Sequence, residues 1–473
     1  MAVSILDSRI FRNTFGTQAI RDVFSDEAYV RSLIEVESAL GRAEAKTGVI
    51  PDEVGNAITK SLRDVRIDFE RLAAETDVVG YPVLPLIRQL AEQADPESAR
   101  YIHWGVRHSQ LYSQAMSTDT RQATTQDIMD NAVMLQIRSG IRIVRQELLS
   151  LIGHLVNLAR KHRDTPMAGR THLQHALPVT FGYKCAVYLF PFLQHIDRLS
   201  NVEQNNLLVQ FGGAAGTLAS LGPNPQTGLR VRAALARELA LLEPPITWHV
   251  ARDTIAEILN LLALIGGSLG KIAIDFIIMS SNEFGEISEP FVPHRGASST
   301  MPQKRNPISS EIILAASKLL REKASLGLDS MVADFERQSG PWHLEWAAVP
   351  EAFTTAVGAL HQANFALEGL VVNPDVMKRN LLSSKGLIVG EAVMMGLATN
   401  MGRNSAHDLV YEACKTAIET DQALLDVLAA NKAVTNKVTM EELEKLCDPL
   451  NYLGASQLQV DEVTKLADQY ISR

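Results

Sequence analysis

Residues 132–162, AVMLQIRSGIRIVRQELLSLIGHLVNLARKH, decide the fold. Ile137, Ile141, Val144, Leu148, Leu151, Leu155 and Leu158 follow one another at alternating spacings of four and three. That spacing lines them up as one stripe along a helix of about 30 residues, roughly 45 Å long, which is a bundle helix. Runs of the same period recur at about 179–209, 248–282, 306–328 and 346–370. Pro178 suits the first turn of the second run, and Pro191 predicts a kink inside it. Strand signals are sparse, so the chain reads as all-α with a central bundle of long helices. Rods of this length carry more apolar surface than one bundle core covers, which points to self-association.

With 473 residues, 46% hydrophobic and 21% charged, the chain has an ordinary globular composition and room for two or three domains. A net charge of −9 argues against sequence-independent nucleic-acid binding, which needs clustered Lys and Arg, so any anionic ligand must be held by a local basic site. Cys185, Cys414 and Cys447 lack C-x-x-C spacing. They predict neither a disulfide framework nor a zinc ribbon, and they fit a reducing, cytoplasmic location. The N-terminal MAVSILDSRIFRNTFG has no apolar core of the signal-peptide kind. The longest apolar stretch, 255–279, is broken by Asn260, Lys271 and Asp275, so no membrane span is expected. GPNPQTG (222–228) reads as a turn-rich insertion, and VVNPDV (371–376) as a domain boundary.

Chemistry-bearing residues gather at the ends of the long runs. PHRGASSTMPQKRNPISSE (293–311) places Gly296, two serines, Lys304, Arg305 and Asn306 between two helices, and Pro302 and Pro307 keep the loop from continuing either one. Small residues let backbone N–H groups approach an anion, and Lys304 adds charge. By its physics alone the segment is equally an interhelix connector. Taken alone, His172 is more readily a structural histidine than a catalyst, and His172 with His175 lacks the further ligands a metal needs.

The segment resembles the signature loop of the fumarase/aspartase superfamily, G-S-S-x-M-P-x-K-x-N, matched at Ser298, Ser299, Met301, Pro302, Lys304 and Asn306. MAGRTHLQHALPVTFG (167–182) resembles the T-H-x-Q block through Thr171, His172 and Gln174, and FGGAAGTLASLG (211–222) resembles the Gly-rich turn that follows. The likeness runs over nearly the whole chain. Within the superfamily, GYPVLPLIRQL (80–90), HWG (103–105), GASSTMPQKRNP and FERQSGPWHLEW (335–346) resemble the bacterial-type 3-carboxy-cis,cis-muconate cycloisomerases. Residues from about 370 resemble the C-terminal domain of adenylosuccinate lyases. Those lyases carry a His-Asp pair where this chain has Glu75-Thr76-Asp77, which counts against their activity.

The resemblance implies three helical domains, 1–127, 128–370 and 371–473, in a homotetramer with composite sites. It implies proton transfer on carbon next to a carboxylate of a small polycarboxylate, most closely lactonisation of 3-carboxy-cis,cis-muconate, without metal or cofactor. The alternatives are a C–N lyase of the adenylosuccinate type or a tricarboxylate decarboxylase. A non-catalytic member is disfavoured by the retention of Ser298, His172, Lys304 and Asn306. Ser298 would be the base, its oxyanion held by backbone N–H groups and Lys304. His172 would act on the opposite side, and Arg337 resembles the carboxylate-binding arginine. His103, Thr124, Thr125, Gln126, Thr171, Gln174, Ser299, Met301 and Asn306 complete the expected substrate contacts.

One block is interrupted. The superfamily's H-x-G-x-T-S-x-D appears here in two halves, His103-Trp104-Gly105 and Ala123 to Asp127. Removing 106–122 gives HWGATTQDIMD, with Thr125 where serine is usual. The removed piece is 17 residues, or 51 nucleotides in frame. Val106 can be encoded with an initial GT, Gln122 by CAG, and Ser117–Thr120 can carry ACTGAC, so the segment reads as a short retained intron. A polar loop of this length would disturb the placement of Thr124, Thr125 and Gln126 by more than the ~0.5 Å that catalysis allows, so the chain is expected to be crippled with it and active without it.

Overall fold

The computed structural model describes residues 3–103 and 123–472; the interrupting segment 106–122 lies outside the described residues. Helices dominate: α1 (Asp26–Lys46), α2 (Asp52–Leu62), α3 (Thr125–Lys161), α4 (Phe181–Asn205), α5 (Pro225–Leu239), α6 (Asp253–Met279), α7 (Ile308–Asp329) and α8 (Pro341–Glu368), with shorter helices between and after them. A hairpin of β1 (Pro166–Thr171) and β2 (Gln174–Thr180) stands between α3 and α4, and Ile287–Ser288 pairs antiparallel with Val371–Val372.

The stripe on α3 is the core. Ile137, Ile141, Val144, Leu148, Leu151 and Leu155 are at most 1% exposed. Burial of each is worth roughly 1.5–3 kcal/mol. The helix is 37 residues long, about 55 Å at 1.5 Å per residue. It exceeds the apolar period because its first two turns bury Gln126, Asp127, Asp130 and Asn131 instead.

Three expectations are corrected. Pro178 lies in β2 opposite Ala168, not in the first turn of a helix; in a two-stranded ladder every strand is an edge, so the missing N–H is tolerated. Helix α4 starts at Phe181, where Thr180 Oγ1 accepts the N–H of Tyr183 (3.1 Å), and it runs through Pro191. GPNPQTG is mostly a helix start, since Pro225 opens α5 and the Asn224 side chain caps it. In the last long run, Pro341 opens α8 ahead of residue 346, so Trp342, His343 and Trp346 sit on a helix, where both tryptophans pack on Tyr81.

Helix α6 is long and apolar enough to cross a membrane by length and composition alone. Its Ile255, Leu259, Leu262, Ile265, Leu269 and Phe276 are buried, and Lys271 pairs with Asp275 along it, so it reads as a core helix.

The chain divides into two compact units. Residues 1–146, 197–266 and 316–359 form the first, and 147–196, 267–315 and 360–473 the second. In the first, α1 packs on α2 and α5. In the second, Ala168 of β1 packs on Leu381, Ile388, Val389 and Ala392, and Val393, Leu397, Leu424, Leu428 and Leu443 build a separate C-terminal core.

Candidate active site

The first unit holds a cradle around Arg337. Asp127, at the start of α3, is fully buried and gathers four N–H groups. Its Oδ2 accepts from Thr124 N (3.1 Å) and Gly213 N (2.9 Å), and its Oδ1 from Gly212 N (3.1 Å) and His249 Nε2 (2.6 Å). The reach back to Thr124 is half of a capping box. Glycine is required at 212, because a Cβ there would lie 2.6 Å from Thr247 Oγ1. Arg337 donates to Gln126 Oε1 (3.2 Å), to Thr124 Oγ1 and to the carbonyl of Gly213 (3.4 Å). All three acceptors are neutral, and among the described residues no carboxylate forms an ion pair with this half-buried guanidinium, whose Nε is also without a partner. Burial lowers its pKa, against the pull of Asp127 and Asp130. A cation left in that condition is a seat for an anion. Thr125 is half-buried at the first position of α3.

A second layer supports the cradle. Arg252 is buried, clamps Asp130 through both terminal nitrogens (2.9 and 3.0 Å), and donates to Glu345 from Nε (2.9 Å). It lies 4.7 Å over the ring of Trp248, and Trp342 Nε1 donates to Asp130 Oδ1 (3.1 Å). Burial lowers the Arg252 pKa, but Asp130 and Glu345 together carry it above its usual value, while burial raises that of Glu345. His103, also in this unit, is buried with Nδ1 2.7 Å from Glu37 Oε1. Two turns along α1, Glu44 is fully buried with neither oxygen partnered, and burial, with Glu37 near, pushes its pKa well up.

In the second unit the hairpin carries the T-H-x-Q block. Thr171 pairs with Gln174, and the two turn residues His172 and Leu173 both have positive φ (52° and 62°). That is the dihedral pattern of a type I′ turn, usually made by Asn and Gly, and non-glycine residues hold it at a cost of order 1–3 kcal/mol each. The strain places His172 exposed at the tip. Behind it, Arg170 binds Glu286 bidentately (3.0 and 2.6 Å), and Asn380 donates to the same carboxylate (3.0 Å). His172 lines a cavity of about 680 Å³ with Lys184, Tyr188, Lys271 and Asp275. Burial, then Arg170, lowers the pKa of His175.

The signature loop, in the same unit, closes on itself. Gly296 (φ 66°) offers its carbonyl to both the backbone N (3.0 Å) and Nδ2 (3.1 Å) of Asn306, and a Cβ at 296 would fall 2.5 Å from Asn306 O. Ser298 Oγ accepts the N–H of Met301 (3.1 Å) and Thr300 (3.3 Å). Ser299, Met301 and Lys304 are exposed. Met301, Lys304 and Asn306 line a cavity of about 630 Å³ that shares no lining residue with that of His172. Glu289 fixes the start of α7 by accepting Ser309 N (3.1 Å) and Ser310 N (2.8 Å).

The structure thus brings Thr124, Gln126 and Arg337 together, and it keeps His172 and the Ser298 loop at separate cavities of one unit. Sequence reasoning placed Asp127 in the interrupted block without a role and missed Asp130, His249, Arg252 and Glu345. The available signal was the pair of acids three residues apart ahead of the apolar stripe of α3.

Such a chain is a carboxylate-handling helical protein by its parts, and the comparisons say which kind. The family model described as Lyase matches residues 12–319, and the one described as Adenylosuccinate lyase C-terminus matches 386–463. The chain is 43% identical to trans-aconitate decarboxylase 1 of Mycosarcoma maydis, covering 95% of this chain and 87% of that one. It is 39% identical to a 3-carboxy-cis,cis-muconate cycloisomerase of Pseudomonas aeruginosa, covering 96% and 95%. Among solved structures, a fumarate lyase from Mesorhizobium sp. BNC1 superposes with a TM-score of 0.87 at 47% identity, over 95% of this chain and 98% of that one. The chain belongs to the fumarase/aspartase superfamily of lyases.

Proposed function

We propose that the protein is an intramolecular lyase of a small polycarboxylate, with 3-carboxy-cis,cis-muconate as the substrate. The reaction joins a carboxylate oxygen to one carbon of a C=C bond and delivers a proton to its neighbour, which bears a carboxylate. Read backwards, a base takes that proton as the C–O bond breaks. The observation that carries the reading is the Arg337 guanidinium, held by three neutral oxygens and in an ion pair with no carboxylate among the described residues, in a chain whose net charge is −9. Such a group binds a substrate carboxylate, and carboxylate charge grows on the substrate when the carbon acid is deprotonated.

Ser298 is the proton-holding group. Two backbone N–H groups already point at its Oγ, the arrangement that stabilises a serine oxyanion, and Lys304 adds positive charge. His172, carried at a strained turn, acts on the attacking or leaving oxygen from the other side. Thr124, Thr125, Gln126, Thr171, Gln174, Ser299, Met301 and Asn306 complete the carboxylate contacts, with His103 behind the first block. Since His172 lines one cavity and Lys304 and Asn306 of the Ser298 loop line another, the working site is composite, with different protomers of a homotetramer each supplying a block. The three domains 1–127, 128–370 and 371–473 are the units of that assembly, in a reducing, cytoplasmic setting.

Incubating the pure protein with 3-carboxy-cis,cis-muconate, adenylosuccinate, argininosuccinate and aconitate, while following ultraviolet absorbance, tests the substrate. Turnover of adenylosuccinate alone overturns the ranking. Tricarboxylate decarboxylation is the second reading, favoured by the 43% identity to the Mycosarcoma maydis decarboxylase; release of carbon dioxide from aconitate would select it. Mixing inactive His172 and Ser298 variants should restore partial activity, and no rescue after verified subunit exchange would place the site within one chain.

A further inference from the structure

Arg337 and Asp127 share their neighbours. Asp127 Oδ2 takes the N–H groups of Thr124 and Gly213, and Arg337 donates to the hydroxyl of Thr124 and the carbonyl of Gly213. A buried carboxylate one residue away from an uncompensated guanidinium should pair with it. Here it does not, because its oxygens are already filled, and the last donor is His249.

The hydrogen-bond directions around His249 fix what it does. Gln210 Oε1 accepts the N–H of Trp248 (3.2 Å), so the Gln210 amide cannot be turned round, and Thr247 Oγ1 donates its one proton to that same oxygen (2.9 Å). Thr247 Oγ1 can then only accept from His249 Nδ1 (3.2 Å). His249 Nε2 faces Asp127 Oδ1 at 2.6 Å, on a carboxylate that already receives three backbone N–H groups. A donating Nε2 fills the last acceptor site of Asp127. The backbone of His249 belongs to the same device, since its carbonyl accepts from Gln126 Nε2 (2.9 Å), which turns Gln126 Oε1 toward Arg337.

We propose that His249 is a positioning residue for substrate binding: by filling the last acceptor site of Asp127 and orienting Gln126 it keeps Arg337 unpaired and aimed at a carboxylate of the substrate. This rests on the reading that Arg337 holds such a carboxylate. It assigns substrate affinity to a buried histidine that never meets the substrate.

The test compares His249→Phe, His249→Asn and His249→Gln with Arg337→Gln in the full-length protein. Asparagine places its amide where Nδ1 sits and cannot reach Asp127, whereas the glutamine amide can replace Nε2–H. Phe and Asn at 249 should raise KM for 3-carboxy-cis,cis-muconate by about tenfold or more with kcat within about threefold, the signature of lost ground-state binding, and Gln should restore most of it. The second readout needs no substrate. Phenylglyoxal modification of Arg337, followed by peptide mass spectrometry against the exposed Arg403, should slow in the Phe and Asn variants as Asp127 captures the guanidinium, and recover in Gln. If the Phe variant does not fold, the Asn and Gln pair carries the same comparison. Unchanged Arg337 reactivity in Asn, or equal defects in Asn and Gln, overturns the proposal. An Arg337→Gln variant with wild-type KM overturns instead the reading of Arg337, and the modification rates still decide the role of His249.

Discussion

Asp127 and Ser298 both collect backbone N–H groups. Asp127 takes them from Thr124, Gly212 and Gly213 at full burial, in a set closed by His249 and backed by Arg252, Asp130 and Glu345. Ser298 takes them from Thr300 and Met301 in an exposed loop whose ties include the Gly296–Asn306 closure, the Ala297–Arg305 bridge and the bond of Arg295 to Gln362. The first set is complete in one chain and costs stability if broken. The second leaves the Ser298 side chain bonded only within its own turn among the described residues, so a change at that side chain should touch chemistry and leave the fold alone.

The largest contrast should come from Ser298→Ala, which deletes one oxygen from a loop that bears no core. Turnover should drop by about 10²–10⁴, the range of a general-base contribution, with a superimposable melting curve; activity above about a tenth of wild type would mean that another group holds the proton. Arg252→Met is the mirror case. It strands Asp130 and Glu345 without their cation in the interior, and removing one partner of a buried ion pair costs about 3–5 kcal/mol. The denaturation midpoint should fall accordingly, and a loss under about 1 kcal/mol would show that water relieves those carboxylates.

Removing 106–122 sharpens the comparison at the cradle's own entrance, since Ala123 and Thr124 follow directly. Turnover should rise on the order of 10²-fold if the segment shifts the cradle by about 1 Å. Equal rates for both versions would make the segment harmless, and mature transcripts carrying all 51 nucleotides would remove the intron reading. The smallest effect concerns Glu44. Its carboxyl is raised in the folded state from an ordinary 4.5, so folding takes up a proton. The associated stability is full below about pH 4.5 and is lost as pH rises toward the folded-state value, at no more than ~1.4 kcal/mol per pH unit. Glu44→Gln should flatten the fall in stability above about pH 5, and an unchanged slope would show that Glu44 is solvated.

The α3 stripe was legible because apolar side chains repeat every three or four residues whatever surrounds them. The first turns of α3 were not, because Gln126, Asp127 and Asp130 are polar and buried, and only their partners explain that. Those partners are remote: Glu345 is 93 positions from Arg252, and His249 is 122 from Asp127. No local pattern marks Arg252 or His249, and Arg337 stood out only through the family's motif. Pro178 misled because the rule for a helix's first turn and the rule for an edge strand accept the same residue. The signature loop was legible as a motif, yet Asn306 looked like a ligand group alone, and its two hydrogen bonds to the Gly296 carbonyl depend on a left-handed residue ten positions away.

The aromatic backing of the cradle makes the chain its own optical reporter. Of four tryptophans, Trp248 lies under Arg252, Trp342 bonds Asp130, and Trp346 meets Trp342 at 5.2 Å. All three belong to the unit that carries Arg337, and the other unit, with His172 and Ser298, has none. Indole emission therefore follows only half of the molecule during unfolding, while far-ultraviolet circular dichroism follows all its helices. Where the two curves part, the hairpin and signature-loop unit is melting on its own.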